Sequence, residues 1–268
     1  VLTHSARVIN ARRTVVELIL SDHPTDCLTC AKSGQCELQK LAQNLGIRDI
    51  PFKGEQSTYR KDMSPSIIRD IDKCIMCRRC ENVCNNVQTV GALSAVNRGF
   101  QAVVAPAFEQ DLMDSPCVMC GQCVQVCPVG ALSEVDDTRN VMAAINNPKK
   151  TVIVNTAPAT RVALGEEFGM EPGTIVTGQM AAALRRLGFD YVFDTDFTAD
   201  LTIMEEGTEL LGRIKKFMAG DKSVRLPILT SCCPGWVNFF EHNFPDMLDV
   251  PSTAKSPMQM FGAVAKNY

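Results

Sequence analysis

At 268 residues, with 46% apolar residues and a mean hydropathy of +0.00, the chain is sized for two or three globular domains with a real core. A formal charge of −3 excludes a broad basic surface for nucleic acid or anionic lipid, and no apolar run reaches the ~18 residues that span a bilayer. Thirteen cysteines, odd in number and clustered as C-x2-C, argue against a secreted disulfide framework and for metal thiolates in a reducing compartment, so the expected location is the cytoplasm.

Residues 4–22 are predicted to form an amphipathic helix, with Val8, Ile9, Val15, Val16, Ile19 and Leu20 at helical spacing. Arg7, Arg12 and Arg13 among them are unlike a signal peptide, and Asp22-His23-Pro24 should end the helix. Then comes His23-x3-Cys27-x2-Cys30-x5-Cys36, four ligand types in a compact loop. Imidazole can replace one thiolate at an iron–sulfur cluster or at zinc. A Cys3His zinc knuckle and a plain turn histidine are the competing readings. A short helix is expected from Glu37 to Leu45, followed by a polar connector over 46–70.

Two cysteine runs follow. Cys117, Cys120, Cys123 and Cys127-Pro128 read C-x2-C-x2-C-x3-C-P, and Cys74, Cys77, Cys80 and Cys84 repeat the spacing 43 residues earlier at every position (117 − 74 = 127 − 84 = 43). In a bacterial-type ferredoxin, three thiolates of such a run hold one cubane and the fourth reaches the other. Cys74, Cys77, Cys80 and Cys127 are thus expected to hold one [4Fe–4S] cluster, and Cys117, Cys120, Cys123 and Cys84 a second. Paired zinc sites are the alternative. Asn85 stands where the second run has proline, which leaves the local turn open. Val103-Val104-Ala105 is predicted as a strand between the runs.

After a helix and linker over 141–148, strand and helix patterns alternate. Strands are predicted at Thr151–Val154, Tyr191–Phe193 and Leu226–Leu229. Helices are predicted at Thr160–Phe168, Thr177–Leu187 with Gly188 as its stop, Leu201–Met218 and from Trp236. This is the signature of a parallel α/β sheet, whose ligands collect beyond the carboxyl ends of its strands. Three segments fall there: Thr156–Ala159, Asp194–Phe197 and Thr230-Ser-Cys232-Cys233-Pro-Gly-Trp236. Adjacent cysteines are poor disulfide partners. One could bind metal while the other carries a proton, a free thiol having a pKa of about 8.5. Two apolar cysteines at a strand end fit equally well. Glu206, Glu209 and Arg213, at i, i+3 and i+7, can share one helix face, though such a stripe is commonly just solvated.

The Thr-Ser-Cys-Cys-Pro-Gly-Trp stretch, the His–Cys motif and the double ferredoxin run, in this order, resemble the catalytic subunit of [FeFe]-hydrogenases. The His–Cys motif is also similar to that of the large iron–sulfur subunit of NADH dehydrogenases. The resemblance implies an α+β multidomain fold in three parts. These are a His–Cys iron–sulfur domain (1–66), a two-cluster bacterial-ferredoxin-like domain (67–140) and the first part of a parallel α/β hydrogenase active-site domain (141–268). It implies reversible H2 oxidation and proton reduction, with electrons relayed through three [4Fe–4S] clusters. In the full-length protein it adds the H-cluster, a cubane joined to a two-iron unit. By resemblance, Cys233 ligates that cubane and Cys232 passes protons, with a route through Glu209, Ser252, Glu206 and Arg213. Ala157, Pro158, Ala159, Ser256, Pro257 and Met258 line the two-iron pocket. Alanine at 159 and methionine at 258 depart from the family's small polar residue and glutamine, which affects tuning rather than ligation.

The family's other active-site cysteines belong to motifs downstream of Tyr268, and the chain opens on Val1 rather than Met. It is therefore expected to be a fragment without a working active site. The implied partners are H2, protons and an electron partner: ferredoxin, or flavin and iron–sulfur subunits that oxidise NAD(P)H. Three rival readings remain at this point: an electron-transfer subunit without catalysis, a hydrogen sensor, and a hydrogenase-like iron–sulfur assembly protein.

Overall fold

A computed structural model describes residues 2–55 and 58–267. It divides into two compact units, Val1–Val135 and Asp136–Tyr268.

The first unit opens with helix α1 (Ala6–Asp22), whose first turn is capped by Ser5 Oγ accepting from Val8 N–H at 3.4 Å. It ends where His23 N–H reaches Leu20 O, because Pro24 has no N–H to continue the ladder. Helix α2 (Glu37–Asn44) follows the first cysteine loop. Five short strands come next: β1 (Asp62–Met63), β2 (Ile67–Arg69), β3 (Ser94–Val96), β4 (Val103–Ala105) and β5 (Leu132–Glu134). They pair antiparallel as β1-β2-β5 and β3-β4, with Ile67 opposite Glu134 and Ser94 opposite Ala105.

This pairing has a consequence for the cysteines. The strand before the first run, β2, pairs with the strand after the second run, β5. The strand before the second run, β4, pairs with the strand after the first, β3. Each run therefore ends beside the beginning of the other. The space between is filled by Leu112, Val129, Ile67 and Leu93, all at most 3% exposed. A buried ion pair braces the sheets. Arg69 Nε lies 3.4 Å from Asp62 Oδ2, its Nη1 donates to Val104 O, and Asp62 Oδ2 also accepts from Leu112 N–H at 2.8 Å. Paired in this way, the two charges avoid the cost of an isolated buried ion.

The second unit begins with α5 (Thr138–Ile145), the helices within the two cysteine runs being α3 (Arg79–Asn82) and α4 (Gln122–Val126). Strands β6 (Ile153–Thr156) and β7 (Tyr191–Asp194) pair in parallel, and α6 (Thr160–Glu167) and α7 (Thr177–Leu187) form the crossover between them. Gly188 ends α7 at φ 107°, a left-handed position suited to glycine. Its bare Cα also lets Ile145 approach, since a Cβ there would sit 2.7 Å from Ile145 Cγ2.

Helix α8 spans Asp196–Met218, five residues earlier than its apolar periodicity suggests. The polar first turn is held by Thr198 and Ala199 N–H bonds to Thr195 O. Helix α10 (Pro257–Asn267) packs on α8, where Thr202 Oγ1 meets Met260 Sδ at 3.2 Å; α9 (Pro234–Asn243) lies between them in sequence.

The expected third strand at Leu226–Leu229 is a correction. Only Leu229 bridges, in parallel, to Pro251. Leu229 N–H donates to Val250 O and Ser252 N–H to Leu229 O. Pro227 and Pro251 supply no N–H, so the ladder cannot lengthen. Among the described residues no helix is long and apolar enough to cross a membrane.

Candidate metal centres and the second cysteine site

The first cavity, of about 520 Å³, is lined by His23, Cys27, Cys30 and Cys36 together with apolar residues such as Leu20 and Leu38. Local structure places each ligand. His23 caps the end of α1, Cys27 opens a 3-10 turn, and Cys36 caps the start of α2. His23 Nδ1 lies 2.8 Å from Pro24 O, so the Nδ1 proton is donated there and Nε2 keeps its lone pair. Nε2 is buried and has no hydrogen-bond partner. A buried, unpartnered imidazole nitrogen on a ring that lines one cavity with three cysteines completes a four-ligand donor set.

The second cavity is lined by Cys74, Cys77 and Cys80 of the first run and Cys127 of the second, with Ile71, Leu93 and Val104 among its apolar walls. The third is lined by Cys117, Cys120 and Cys123 with Cys84 of the first run. Each cavity thus takes three cysteines from one run and the fourth from its duplicate, as the paired strands dictate.

The loops repeat each other in backbone as well. Met76 and Arg78 (φ 52° and 58°) match Met119 and Gly121 (φ 55° and 74°) at the same offset. Left-handed backbone at three non-glycine residues is costly and persists only where surroundings enforce it. Here it turns backbone N–H groups towards sulfur: Met119 N–H donates to Cys117 Sγ at 3.4 Å. The runs differ after their fourth cysteine. Pro128 sends the chain into extended backbone, whereas α3 continues through Cys84 as a π-helical turn (Val83–Val87), and Asn85 Nδ2 donates to Leu93 O at 3.0 Å.

Burial pushes the Cys80 and Cys123 thiols up to about 12, and neighbouring cysteines push the same way: Cys74 and Cys127 on Cys80; Cys117, Cys120 and Cys84 on Cys123. Burial also raises Cys117 and Cys127. Several thiolates at such close quarters need a cation to compensate them, which iron supplies on binding. A cubane is gripped at its corners, so its thiolates surround a volume. Among the described residues no three His, Cys, Asp or Glu side chains converge on one point as a single ion requires.

The first and second cavities adjoin. Glu37, next to Cys36, donates its N–H to Pro128 O, next to Cys127, at 2.9 Å. Arg79 grips the Glu37 carboxylate at 2.7 and 2.8 Å and holds it below the usual carboxylate range. Lys73, Gly130 and Thr253 also matter to these sites and drew no attention in the sequence, because a single lysine, glycine or threonine carries no spacing signal. Met76 and Met119 could have been found, since they hold the same position in the two runs.

In the second unit Cys233 caps α9, Pro234 occupies its first turn, and Cys232 and Cys233 are both exposed. Glu209, Arg213 and Ser252 come together. Arg213 donates to Glu209 Oε1 at 2.6 and 3.1 Å, and Ser252 Oγ to Oε2 at 3.1 Å. Thr253 adds two more bonds to Oε2, through N–H and Oγ1, both at 3.1 Å. Burial raises Glu209, but the bonds from Arg213, Thr253 and Ser252 outweigh it and leave the carboxyl below its ordinary range. Glu206, one turn earlier, has a buried Oε1 without a partner. Among the described residues no hydrogen bond links Glu206 or Cys232 to the Glu209 group. Ala157, Pro158 and Ala159 lead into α6, while Ser256, Pro257 and Met258 open α10.

Crossed cysteine runs around apolar cavities, and an imidazole poised beside three thiols, define an iron–sulfur protein of the dicluster ferredoxin type with a further α/β unit. Comparison with known proteins agrees. Residues 12–51 match the NADH-ubiquinone oxidoreductase-G iron-sulfur binding region, 73–131 the 4Fe-4S dicluster domain, and 150–268 the iron only hydrogenase large subunit, C-terminal domain. The chain is 71% identical to the NADP-reducing hydrogenase subunit HndD of Solidesulfovibrio fructosivorans, over 100% of its own length and 46% of the relative's. It is 39% identical to iron hydrogenase 1 of Clostridium pasteurianum, over 99% and 46%. It is 33% identical to the alpha subunit of the NADPH-Fe(3+) oxidoreductase of Geobacter sulfurreducens, over 49% and 15%. The last part of the chain, residues 150–268, is thus similar to the iron only hydrogenase large subunit. It spans about half the length of the hydrogenases it matches.

Proposed function

We propose that this chain is the electron-relaying and first active-site portion of a hydrogenase that interconverts H2 with protons and electrons. The observation that carries the reading is the crossed lining of the two ferredoxin-type cavities, joined in one chain to a match with the iron-only hydrogenase large subunit. Three [4Fe–4S] clusters are assigned: one to His23, Cys27, Cys30 and Cys36; one to Cys74, Cys77, Cys80 and Cys127; one to Cys117, Cys120, Cys123 and Cys84. When bound, such clusters supply one-electron transfer, and the two-iron group of the full-length site supplies the H2 chemistry.

The chain's own residues hold, insulate and deliver. Cys36, Cys123 and Cys127 are buried among apolar residues, and the contact between Glu37 and Pro128 sets the first cavity against the second. Cys233 is assigned to the H-cluster cubane, and Cys232 holds a proton beside it. Ala157, Pro158, Ala159, Ser256, Pro257 and Met258 shape the two-iron pocket. Glu206, with its unpartnered buried oxygen, is the better carrier of the next proton; Glu209, held ionised by Arg213, Ser252 and Thr253, anchors Ser252 and Thr253, while Arg213 holds the carbonyls of Asp249, Val250 and Pro251. The three-domain division at 66 and 140, a cytoplasmic location and an electron partner that is ferredoxin or an NAD(P)H-oxidising subunit complete the reading. The kinship with an NADP-reducing hydrogenase subunit supports the nicotinamide-linked partner.

The test is a full-length protein carrying Cys232→Ala, with H2 uptake and iron content measured together. Turnover is expected to fall to near background with iron unchanged; normal turnover would remove the proton-holding role. A relay subunit without catalysis is the second reading, favoured by the match of residues 12–51 to an iron–sulfur binding region of NADH-ubiquinone oxidoreductase. That reading requires electron transfer to persist with no H2 uptake at all in the full-length protein.

A further inference from the structure

Lys73 stands immediately before Cys74 and is only 8% exposed. A buried lysine is costly unless its charge is matched. Its ammonium lies 3.0 Å from Asp70 Oδ2 and 3.5 Å from Asp26 Oδ2. Asp26 is the residue before Cys27, in the loop of the first cavity. Lys61 also reaches Asp70, at 2.9 Å. Gly130, three residues after Cys127, completes the junction. A Cβ on Gly130 would sit 2.5 Å from Cys30 Sγ and 3.4 Å from Lys73 Cδ, so the thiol and the lysine stem meet at one point. The lysine thus belongs by sequence to the second cavity and by contact to the first.

We propose that Lys73 is a positioning charge for the first cavity, raising the reduction potential of the cluster held by His23, Cys27, Cys30 and Cys36. The proposal rests on the reading of that cavity as an iron–sulfur site. Reduction adds negative charge to a cluster, and a cation held beside one of its thiolates in a poorly solvated junction favours the reduced state. Asp26 acts in the opposite sense. With its side chain half exposed, it is screened by solvent, so the buried lysine prevails. Asp70, as buried as Lys73, offsets part of its charge, but it is the lysine stem and not Asp70 that meets Cys30 at Gly130. The arrangement acts in the same direction as the neutral His23 ligand, favouring electron acceptance at the first cluster.

The experiment uses the whole chain, reconstituted anaerobically with iron and sulfide and followed by EPR during a redox titration. The component belonging to the first cavity is the one whose potential His23→Cys moves. Lys73→Met is expected to weaken its reduction equilibrium at least tenfold, which for one electron is a fall of about 59 mV. Lys73→Arg should restore most of the difference. Asp26→Asn should shift the same component upward. Opposite signs from two neighbouring variants separate charge from damage to the fold. An unchanged potential in Lys73→Met with iron retained overturns the proposal, as does a shift of both variants in the same direction. If Lys73→Met loses the cluster, Asp26→Asn decides: an upward shift supports the proposal and no shift overturns it. A wild-type chain that takes up only about eight irons rather than about twelve fails in a different way, since that outcome removes the iron–sulfur reading of the cavity itself.

Discussion

His23 Nδ1 lies 2.8 Å from the carbonyl oxygen of Pro24, its own neighbour in the chain, and this bond turns a helix-ending residue into an oriented ligand. With Nδ1 donating to that carbonyl, Nε2 is left buried and unpartnered on a ring that lines the cavity shared with Cys27, Cys30 and Cys36. His23→Cys should retain the cluster but lower its potential by on the order of 100 mV, because a thiolate adds the negative charge that imidazole lacks. An EPR redox titration that finds the potential unmoved would remove His23 from the ligand set. Reconstituted wild-type chain should carry about twelve irons, from three four-iron clusters, and zinc in the first site would leave about eight by elemental analysis.

Crossed ligation gives an asymmetric expectation. Cys127→Ala should remove the cluster of Cys74, Cys77 and Cys80, although it sits in the other run, and spare that of Cys117. Cys84→Ala should do the converse. EPR of the two variants distinguishes this from self-contained runs, in which each substitution would damage its own.

Gly130→Ala would place a methyl group 2.5 Å from Cys30 Sγ. Neither the backbone nor a cluster ligand can yield cheaply, so overpacking should cost about 1–3 kcal/mol. Iron should be lost from the first cavity before the other two. Full iron occupancy with an unchanged unfolding midpoint would show that the loop yields freely.

Glu209 links acid sensitivity to the second unit. Its folded pKa lies below the ordinary value of 4.5. The associated stability is therefore present above that unfolded value and is lost as pH falls through the lower folded value. Glu209→Gln, which keeps the shape but not the charge, should cost about 1.5–3 kcal/mol at neutral pH, the range for hydrogen bonds to a charged group. Its loss on acidification below pH 4.5 should be smaller than in wild type. Urea unfolding followed by the single tryptophan, Trp236, measures both; parallel acid profiles would show that Glu209 is not the linked group.

Most helices could be read in advance because their signals are local. The Thr177–Leu187 helix has apolar periodicity and a glycine stop, and its ends fall where those signals place them. The first turn of α8 was hidden by its polar residues, which are held there by Thr195 O rather than by an apolar stripe. The supposed strand at Leu226–Leu229 has the right residues but no usable ladder, since strand formation depends on a partner and both segments carry proline. Of the proton-route residues, Glu209 and Arg213 announced themselves by helical spacing. The bonds that Glu209 makes to Ser252 and Thr253 come from more than forty positions away and carry no periodic signal.

What the amino-acid order alone determined is the number and kind of ligands, because cysteine spacing is a covalent property that survives without a fold. What the tertiary structure alone decided is which groups share a neighbourhood: the unpartnered Nε2 of His23, the Glu37–Pro128 contact that sets the first cavity against the second, and Lys73 beside Cys30. These depend on strands pairing across the duplicate and on a glycine leaving room, and such long-range contacts are selected by burial and sterics rather than by any pattern along the chain.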